Sequence, residues 1–337
     1  MPAKVFSSTP DLAQRAISGH IGPKMPWRAF ARLANSAAGE QLLRLTLRPR
    51  ALFFAYPAEQ RFADHFCSAR RQALVAWRPY VVGWLKQGEA VSVMAVTSTC
   101  ESAFTNPDRK DDLARFVQRV EALADRLNVD RIAYAGVLPS VLRARRLHKG
   151  HSGEHAVVCR AIATAVNDLL LQLPLLRRVV VLGGRGQVAR PLTQLLRGEL
   201  AAQRHTFGEI LVTSVDRGEM LPPEPSLVVN CSLPGALEAR AQDIPIGSVV
   251  LNEVYPAPSA ACVAALRTRG VALHQVAGVR GQASPAFPGE YAQAIPCCAA
   301  DPDIQPEVIT VPLTATSCRV GQPPSTQTCS MQSKVVE

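Results

Sequence analysis

Residues 178–189 read RVVVLGGRGQVA, and this short stretch decides the fold that the sequence predicts. Val179–Leu182 form an apolar, mostly β-branched run, which is typical of a strand buried on both faces of a parallel sheet. Small residues follow at the spacing G-x-G-x-x-A, and also at the looser G-x-x-G-x-x-A: Gly183, Gly184, Gly186 and Ala189. A helical pattern begins directly after them, so the stretch predicts a strand, a glycine turn and a helix.

A turn of this kind is suited to a dinucleotide. Small residues let the backbone approach a pyrophosphate, and the N-terminus of the following helix offers free N–H groups and a positive partial charge. The alternative is a plain tight turn that binds nothing. We predict a cofactor site formed by the turn and by residues after the next two strands: Gly183, Gly184, Arg185, Gly186, Gln187, Val188, Ala189, Ser214, Asp216, Arg217 and Ser232.

The identity of the dinucleotide depends on three charged residues. Asp216 follows the second strand, where an acid would bind the ribose hydroxyls of NAD. Arg217 and Arg185 are instead suited to the 2′-phosphate of NADP. We favour NADP, with NAD as the alternative, because two guanidinium groups are available and the chain is basic.

The rest of the chain continues the α/β pattern. Helical spacing occurs at 111–128 and 154–172, an alternating stretch at Leu43–Leu47 indicates a strand, and so does Ala90–Thr97. Further strand patterns lie at 132–137, 209–214, 226–232, 247–253 and 271–277. We predict an α/β protein with a parallel Rossmann-type sheet domain and a smaller N-terminal α/β or α+β domain. The predicted boundaries are 1–153 for an N-terminal substrate or partner domain, 154–176 for a connecting helix, 177–301 for the NAD(P)-binding domain and 302–337 for a largely disordered tail.

Composition limits the classes of partner. The net charge is +10, and residues 1–80 hold twelve Lys and Arg against four Asp and Glu. A second basic stretch runs from Arg143 to Lys149. Such charge describes either a solvated surface or the docking face of an acidic partner. No zinc-finger spacing, RNP motif or interleaved aromatic residues accompany it, so nucleic acid ranks low.

The N-terminal stretch and the cysteines predict where the protein is located and whether its thiols are reduced. No apolar run approaches the roughly 20 residues of a membrane span. The N-terminal stretch lacks the apolar core of a secretory signal, so we expect a cytoplasmic protein, with an organelle-transit segment as the alternative. The nine cysteines are odd in number and irregularly spaced, which predicts reduced thiols. His148, His151 and His155 share a helical spacing, but Gly150 and Gly153 interrupt it, so we predict no metal site.

Several stretches, in order, resemble the aldehyde-forming long-chain acyl-[acyl carrier protein] reductases. They are GEAVSVMAVTS (88–98), AYAGVLPSV (133–141), GHSGEHAVVCRAIATAV (150–166), VVVLGGRGQVAR (179–190), VVLNEVYPAPSA (249–260) and AIPCCAAD (294–301). The resemblance covers roughly residues 85–300, and the order and spacing of the motifs carry most of its weight.

The resemblance implies a reaction and a set of residues. In that family, the cysteine of A-C-x-A-E takes the acyl group from the phosphopantetheine of the carrier, and NADPH reduces the thioester to an aldehyde. By position, Cys297 is the acyl acceptor and Cys298 the variable residue. The implied donor is an acyl carrier protein or acyl-CoA. His151 or Lys149 would donate a proton to the forming oxyanion or lower the thiol pKa.

The chain also departs from the family pattern. Ala300 stands at the glutamate position, Asp301 is displaced by one, and prolines follow where the family continues as a helix. Of the T-T-G-N motif only Gly150 remains.

Three alternatives therefore stay open. Cys297 and Cys298 are small buried apolar groups, or the enzyme is a dehydrogenase of the shikimate or glutamyl-tRNA reductase type, or the chain is a non-catalytic nucleotide-binding module. In the glutamyl-tRNA reductase case the essential thiol would be Cys67 or Cys100. The sequence leaves homo-oligomerisation open.

Overall fold

The computed structural model describes residues 27–57, 60–147, 154–287 and 293–314. The first half contains α1 (Trp27–Ala34), α2 (Ala37–Leu47), β1 (Ala51–Ala55), α3 (Gln60–Phe66), α4 (Ala69–Val75), β2 (Tyr80–Gln87), β3 (Ala90–Val96), α5 (Glu101–Thr105), α6 (Lys110–Leu127), β4 (Arg131–Tyr134) and α7 (Leu138–Ala144). The second half contains α8 (Glu154–Gln172), β5 (Arg178–Leu182), α9 (Ala189–Ala202), α10 (Arg204–Phe207), β6 (Leu211–Val215), β7 (Leu227–Asn230), α11 (Ala236–Arg240), β8 (Val249–Asn252), α12 (Ala260–Thr268), β9 (Ala272–Arg280), β10 (Gln282–Ser284), β11 (Ala294–Ile295) and β12 (Val308–Pro312).

The first sheet is mixed. Its order is β10-β2-β3-β1-β4, with β1 parallel to both β3 and β4, and with β2 antiparallel to β3. Helix α6 covers it through an apolar stripe that includes Leu113, Phe116 and Val120, all fully buried. The helix ends at Asn128, whose φ of 55° lies in the left-handed region that asparagine tolerates.

The second sheet is doubly wound. Its order is β11-β9-β8-β7-β5-β6, and β5 to β9 all run parallel. In chain order the five parallel strands are therefore arranged 2-1-3-4-5. The direction of winding reverses between β5 and β7, and ligands bind at such a switch point in open α/β sheets. This confirms the predicted α/β fold with a parallel Rossmann-type sheet.

One apolar core joins the two sheets. A single cluster of buried side chains contains Phe53 and Met94 from the first sheet and Val179 and Leu227 from the second. Ile162 of α8 belongs to the same cluster and is fully buried. Strand β10 adds a second link, because it follows β9 of the second sheet but pairs antiparallel with β2 of the first. The edges of the two sheets are thus fixed relative to each other.

One expectation from the sequence is wrong. The leucines at 43, 45 and 47 lie in helix α2, not in a strand. The Ser36 side chain accepts a hydrogen bond from the Gly39 N–H at 3.1 Å and starts the helix, and three alternating leucines are too few to outweigh that cap. The expectation that residues 302–337 form a largely disordered tail stays a prediction. Its described part, up to residue 314, contains β12, which pairs with β9 because VITVP is a short β-branched run.

The described residues bear on two further expectations, the absence of a membrane span and the state of the cysteines. Within them, no helix combines the length and apolar character that a membrane span needs. The seven cysteines in this part of the chain are free thiols, while Cys318 and Cys329 lie outside it. The predicted domain boundaries remain predictions.

Candidate functional site

The glycine turn after β5 folds tightly against its neighbours. Gly183 has a φ of +87°, and a Cβ there would lie 3.1 Å from the Ser232 Cα. The Gly186 N–H donates to the Gly183 carbonyl at 2.6 Å, and a Cβ on Gly186 would come within 2.9 Å of that oxygen. Both positions therefore require glycine, because any side chain there would displace the tight turn at the switch point.

Asp216, directly after β6, fixes the turn from the side. Its carboxylate accepts a hydrogen bond from the Arg185 N–H at 2.9 Å and pairs with the Arg185 Nε at 2.7 Å. Ser214 packs against Gly184, where a Cβ would lie 2.8 Å from the serine Cβ. The structure thus brings Ser214 and Asp216 to the turn. Arg217 is exposed beside them.

The turn leads into the uncapped N-terminus of α9. The residue before the helix is Val188, whose side chain cannot accept a hydrogen bond, and the first turn holds no acid. The Arg190 N–H already donates to the Gly186 carbonyl at 3.1 Å and Pro191 has no N–H, so it is the helix dipole that gives this end a positive partial charge. Such an end favours a phosphate group, so Gly183–Ala189 fit a dinucleotide.

Ser232 and Cys231 complete the switch point from β7. The Ser232 N–H donates to the Asn230 side chain at 3.3 Å, and Cys231 precedes it at the end of the strand. Burial, and after it the charge of Glu253, raises the pKa of the Cys231 thiol. Cys231 is therefore a protonated, largely apolar group beneath the turn.

A chain of buried amides fixes the strand ends around the site. The Asn230 amide donates to Asn252 at 2.6 Å, and Asn252 donates to Gln275 at 2.7 Å. These residues are adjacent in register on β7, β8 and β9 and are at most 2% exposed. Because buried amides need partners, this chain of hydrogen bonds joins the ends of β7 and β8 to the middle of β9.

Glu253 follows this chain directly, at the end of β8. Burial raises the pKa of its carboxyl to about 7. Its charge in turn contributes to raising the pKa of the thiols of Cys159, Cys231 and Cys297. Cys159 of α8 also donates its S–H to the Val188 carbonyl at 3.4 Å, which connects this group to the glycine turn. The sequence analysis did not identify Glu253 as a site residue.

The Cys297–Cys298 pair lies in a short 3-10 turn after β11. Cys297 is 8% exposed, and burial, then Glu253 and Cys298, raises the pKa of its thiol well above the ordinary value. Cys298 is half-buried. The sequence analysis expected His151 or Lys149 to lower the pKa of this thiol. Both residues lie outside the described residues, so this expectation stays a prediction.

Cys298 also interacts electrostatically with Tyr56, at the end of β1 in the first sheet. The Tyr56 hydroxyl donates to Glu101 at 2.8 Å and accepts from the Val137 N–H at 2.8 Å. Burial, and then Glu101, raises the pKa of this phenol, and Cys298 contributes to the increase. The Arg131 side chain of β4 donates to the Ala300 carbonyl at 2.7 Å, and Cys297 belongs to the core that the two sheets share, so the cysteine pair lies at their junction.

The described residues indicate no metal site. Among them, no group of three or more His, Cys, Asp or Glu side chains could hold a metal ion. His155 interacts with Arg143 through its Nδ1 at 3.3 Å, and His148 and His151 lie outside the described ranges.

Comparisons with known proteins identify no family. No family model matches the chain, and neither does any curated protein. Among solved structures, a 5,10-methylenetetrahydrofolate dehydrogenase from the silkworm, Bombyx mori, is similar with 12% identity and a TM-score of 0.32, over 66% of this chain and 80% of that one. A likeness at this level does not identify an activity.

Proposed function

We propose that this chain is an NADPH-dependent oxidoreductase that reduces an acyl thioester to an aldehyde through Cys297. The observation that carries the dinucleotide part is the glycine turn at the switch point, which opens an uncapped helix N-terminus beside Ser232. The thioester part rests on the resemblance of AIPCCAAD to the reductase motif and on the electrostatic interaction of Cys297 with Glu253.

The residues of the turn would hold the cofactor. The backbone of Gly183–Ala189 and the α9 N-terminus would bind the pyrophosphate, and Ser232 lies across the switch point from them. NADPH, when bound, supplies the hydride that reduces the acyl carbonyl carbon. Asp216 already pairs with Arg185, so Arg217 is the cation that remains for a 2′-phosphate. This favours NADP, with NAD as the alternative.

In this proposal Glu253 is the proton acceptor for Cys297, because its charge acts on the Cys297 thiol. With a pKa of about 7, its carboxyl is half ionised near neutral pH, which suits a general base. Glu253 would take the Cys297 proton, directly or across one water molecule, as the sulfur attacks the thioester carbonyl. The donor thiolate leaves and takes that proton, and Cys297 carries the acyl group. Reduction then gives a hemithioacetal, which collapses to aldehyde and free Cys297. Overall, the acyl thioester, NADPH and one proton react to give the aldehyde, NADP⁺ and the free thiol of the donor.

The experiment is mass spectrometry of the protein incubated with an acyl-CoA or acyl-carrier donor without NADPH. We expect one acyl adduct on the peptide that contains Cys297, and its loss as aldehyde when NADPH is added. Absence of any adduct, with NADPH binding retained, would reject the thioester route.

A second candidate keeps the dinucleotide and omits the thioester. The burial and raised pKa of Cys297 favour it, because a nucleophilic thiol normally has a lowered pKa. Such a dehydrogenase would bind NADP(H) and remain unlabelled by acyl donors. The same experiment separates the two candidates.

A further inference from the structure

A small cationic pocket lies in the first half of the chain, between α1, the end of α3, α4 and the start of β2. Its volume is about 110 Å³. The described polar residues of its wall are Arg32, Cys67, Ser68, Arg71 and Tyr80. Two of them are cations, and no carboxylate joins them among the described residues, so the pocket is suited to an anion.

Tyr80 fixes the guanidinium group of Arg71 in the pocket wall. The Arg71 Nη1 donates to the Tyr80 hydroxyl, and the guanidinium carbon lies 5.0 Å from the centroid of the Tyr80 ring. The Arg71 Nε and Nη2 have no hydrogen-bond partner within the described residues, and neither is a buried atom without a partner, so both are open to a ligand. Because this pair of donors is oriented in advance, Arg71 can bind an oxyanion through two parallel hydrogen bonds.

Arg32 adds a second positive charge from α1. It is exposed, and its charge acts on the Tyr80 hydroxyl, as does that of Arg71. Neither arginine forms an ion pair within the part of the chain that the structure describes. Arg71 is half-buried, and a cation that has lost part of its hydration without gaining a counter-charge is unfavourable. An anion in the pocket would offset this cost.

The other polar groups of the wall add donors and no negative charge. Burial, opposed by Arg71, raises the pKa of the Tyr80 hydroxyl, so this group keeps a proton that it can donate. Ser68 precedes α4, but its side chain does not cap the helix, which leaves its hydroxyl available. Burial also raises the pKa of Cys67 to about 11, so the thiol stays neutral.

The size of the pocket limits its occupant. Pockets that enclose whole small-molecule ligands begin at roughly 300 Å³. A pocket of about 110 Å³ therefore accepts an ion or the end group of a larger molecule. Two guanidinium groups and two hydroxyls around so small a space match a tetrahedral oxyanion with several acceptor atoms better than a planar carboxylate with two.

We propose that this pocket binds a phosphate group, which bridges α1 through Arg32 and α4 through Arg71. The inference goes beyond the proposed function and does not depend on it. The phosphate has two possible sources, free inorganic phosphate and the terminal phosphate of a phosphomonoester. In either case the ligand ties two helices of the first half to β2, so the stability of the protein rises with ligand concentration.

The test is thermal unfolding at constant ionic strength, with the unfolding midpoint followed against the concentration of inorganic phosphate, methyl phosphate or acetate. The variants are Arg71→Gln and Arg32→Gln, the second of which removes an exposed side chain and should leave the fold intact. The control is Arg70→Gln, because Arg70 is exposed next to Arg71 but does not line the pocket. Gly186→Val, which disrupts the glycine turn, reveals any phosphate that binds there instead.

We expect the wild type and Gly186→Val to bind inorganic phosphate at least tenfold more tightly than acetate. Arg71→Gln should lose at least tenfold of that affinity and Arg32→Gln at least threefold, whereas Arg70→Gln should stay within twofold. Methyl phosphate bound within threefold of inorganic phosphate assigns the pocket to a phosphomonoester, and weaker binding assigns it to the free ion. Equal responses to phosphate and acetate, wild-type affinity in both pocket variants, or loss of the phosphate response in Gly186→Val overturns the proposal.

Discussion

The carboxylate of Asp216 holds Arg185 at two points, its backbone N–H at 2.9 Å and its Nε at 2.7 Å. The acid at the end of β6 therefore shapes the turn that would bind the phosphates. A residue in this position is commonly assigned to the ribose, but here it is already engaged by the protein. The Arg185 side chain is 88% exposed, so the ion pair itself contributes little stability, and the backbone hydrogen bond matters more.

Gly186→Val should abolish NADP(H) binding. A Cβ at this position meets the Gly183 carbonyl at 2.9 Å, so the turn must move. Fluorescence titration with NADPH measures the effect. The matched control is Gly198→Ala on α9, where a Cβ meets nothing within 4 Å. Wild-type affinity in Gly186→Val would show that the turn binds no dinucleotide.

Arg217→Gln should weaken NADPH binding about tenfold and leave NADH binding almost unchanged. One charge-assisted hydrogen bond to a 2′-phosphate accounts for roughly 1.5–3 kcal/mol. Arg204→Gln serves as control, because Arg204 is exposed and pairs with Glu209 at 3.1 Å. If the wild type binds NADH as tightly as NADPH, the assignment of Arg217 is wrong.

Cys297→Ser should remove acyl labelling and turnover while cofactor binding is retained. Cys298→Ser should keep substantial activity, because the resemblance places the acyl acceptor at Cys297 and makes Cys298 the variable residue. Peptide mapping of the acyl adduct and NADPH oxidation measure both. A label on Cys298 would shift the assignment by one residue, and full activity in both variants would make the pair structural.

Glu253 should make stability depend on pH. Its pKa is raised from 4.5 to about 7, so the folded protein binds one more proton than the unfolded chain between these values. The free energy of unfolding therefore falls as pH rises through this window, with a slope of at most about 1.4 kcal/mol per pH unit. Glu253→Gln should lack this slope in urea titrations at several pH values. Parallel pH profiles of the two proteins would contradict the assignment.

Asn252→Ala should destabilise the fold by about 2–4 kcal/mol. The change leaves the Asn230 amide and the Gln275 carbonyl buried without their partners, and each such group costs about 1–3 kcal/mol. Urea denaturation measures the loss. Gln194→Ala, on the exposed face of α9, should change the free energy of unfolding by less than about 0.5 kcal/mol. A comparable effect in both variants would mean that the amide chain is not specially stabilising.

Local patterns were sufficient for the strands and helices of the second sheet. The runs that became β5, β7 and β8 are apolar over four or five residues and end in polar or glycine positions, so both the strands and the turn could be predicted. Helix α2 could not be predicted in this way. The alternating leucines indicate a strand over the same few residues for which the Ser36 cap indicates a helix. The signal for the amide chain was present, because β7 and β8 each end in asparagine.

Long-range placement was beyond local patterns. Nothing near Cys298 in the sequence predicts its electrostatic interaction with Tyr56, which is more than 200 positions away. The interaction exists only because the two sheets share a core. The raised pKa of Glu253 likewise follows from its burial in the folded protein. Such a property depends on the assembled fold and has no sequence signature.

The pairing of β10 with β2 has a consequence for synthesis of the chain. Until residues 282–284 leave the ribosome, β2 has only one neighbour in its sheet and exposes its other edge. At 5–20 residues per second, this state lasts roughly 10–40 s. Exposed edges favour wrong pairing with other chains, and lysine is a common protection against it. β2 contains a lysine of this kind, Lys86, next to its C-terminal end.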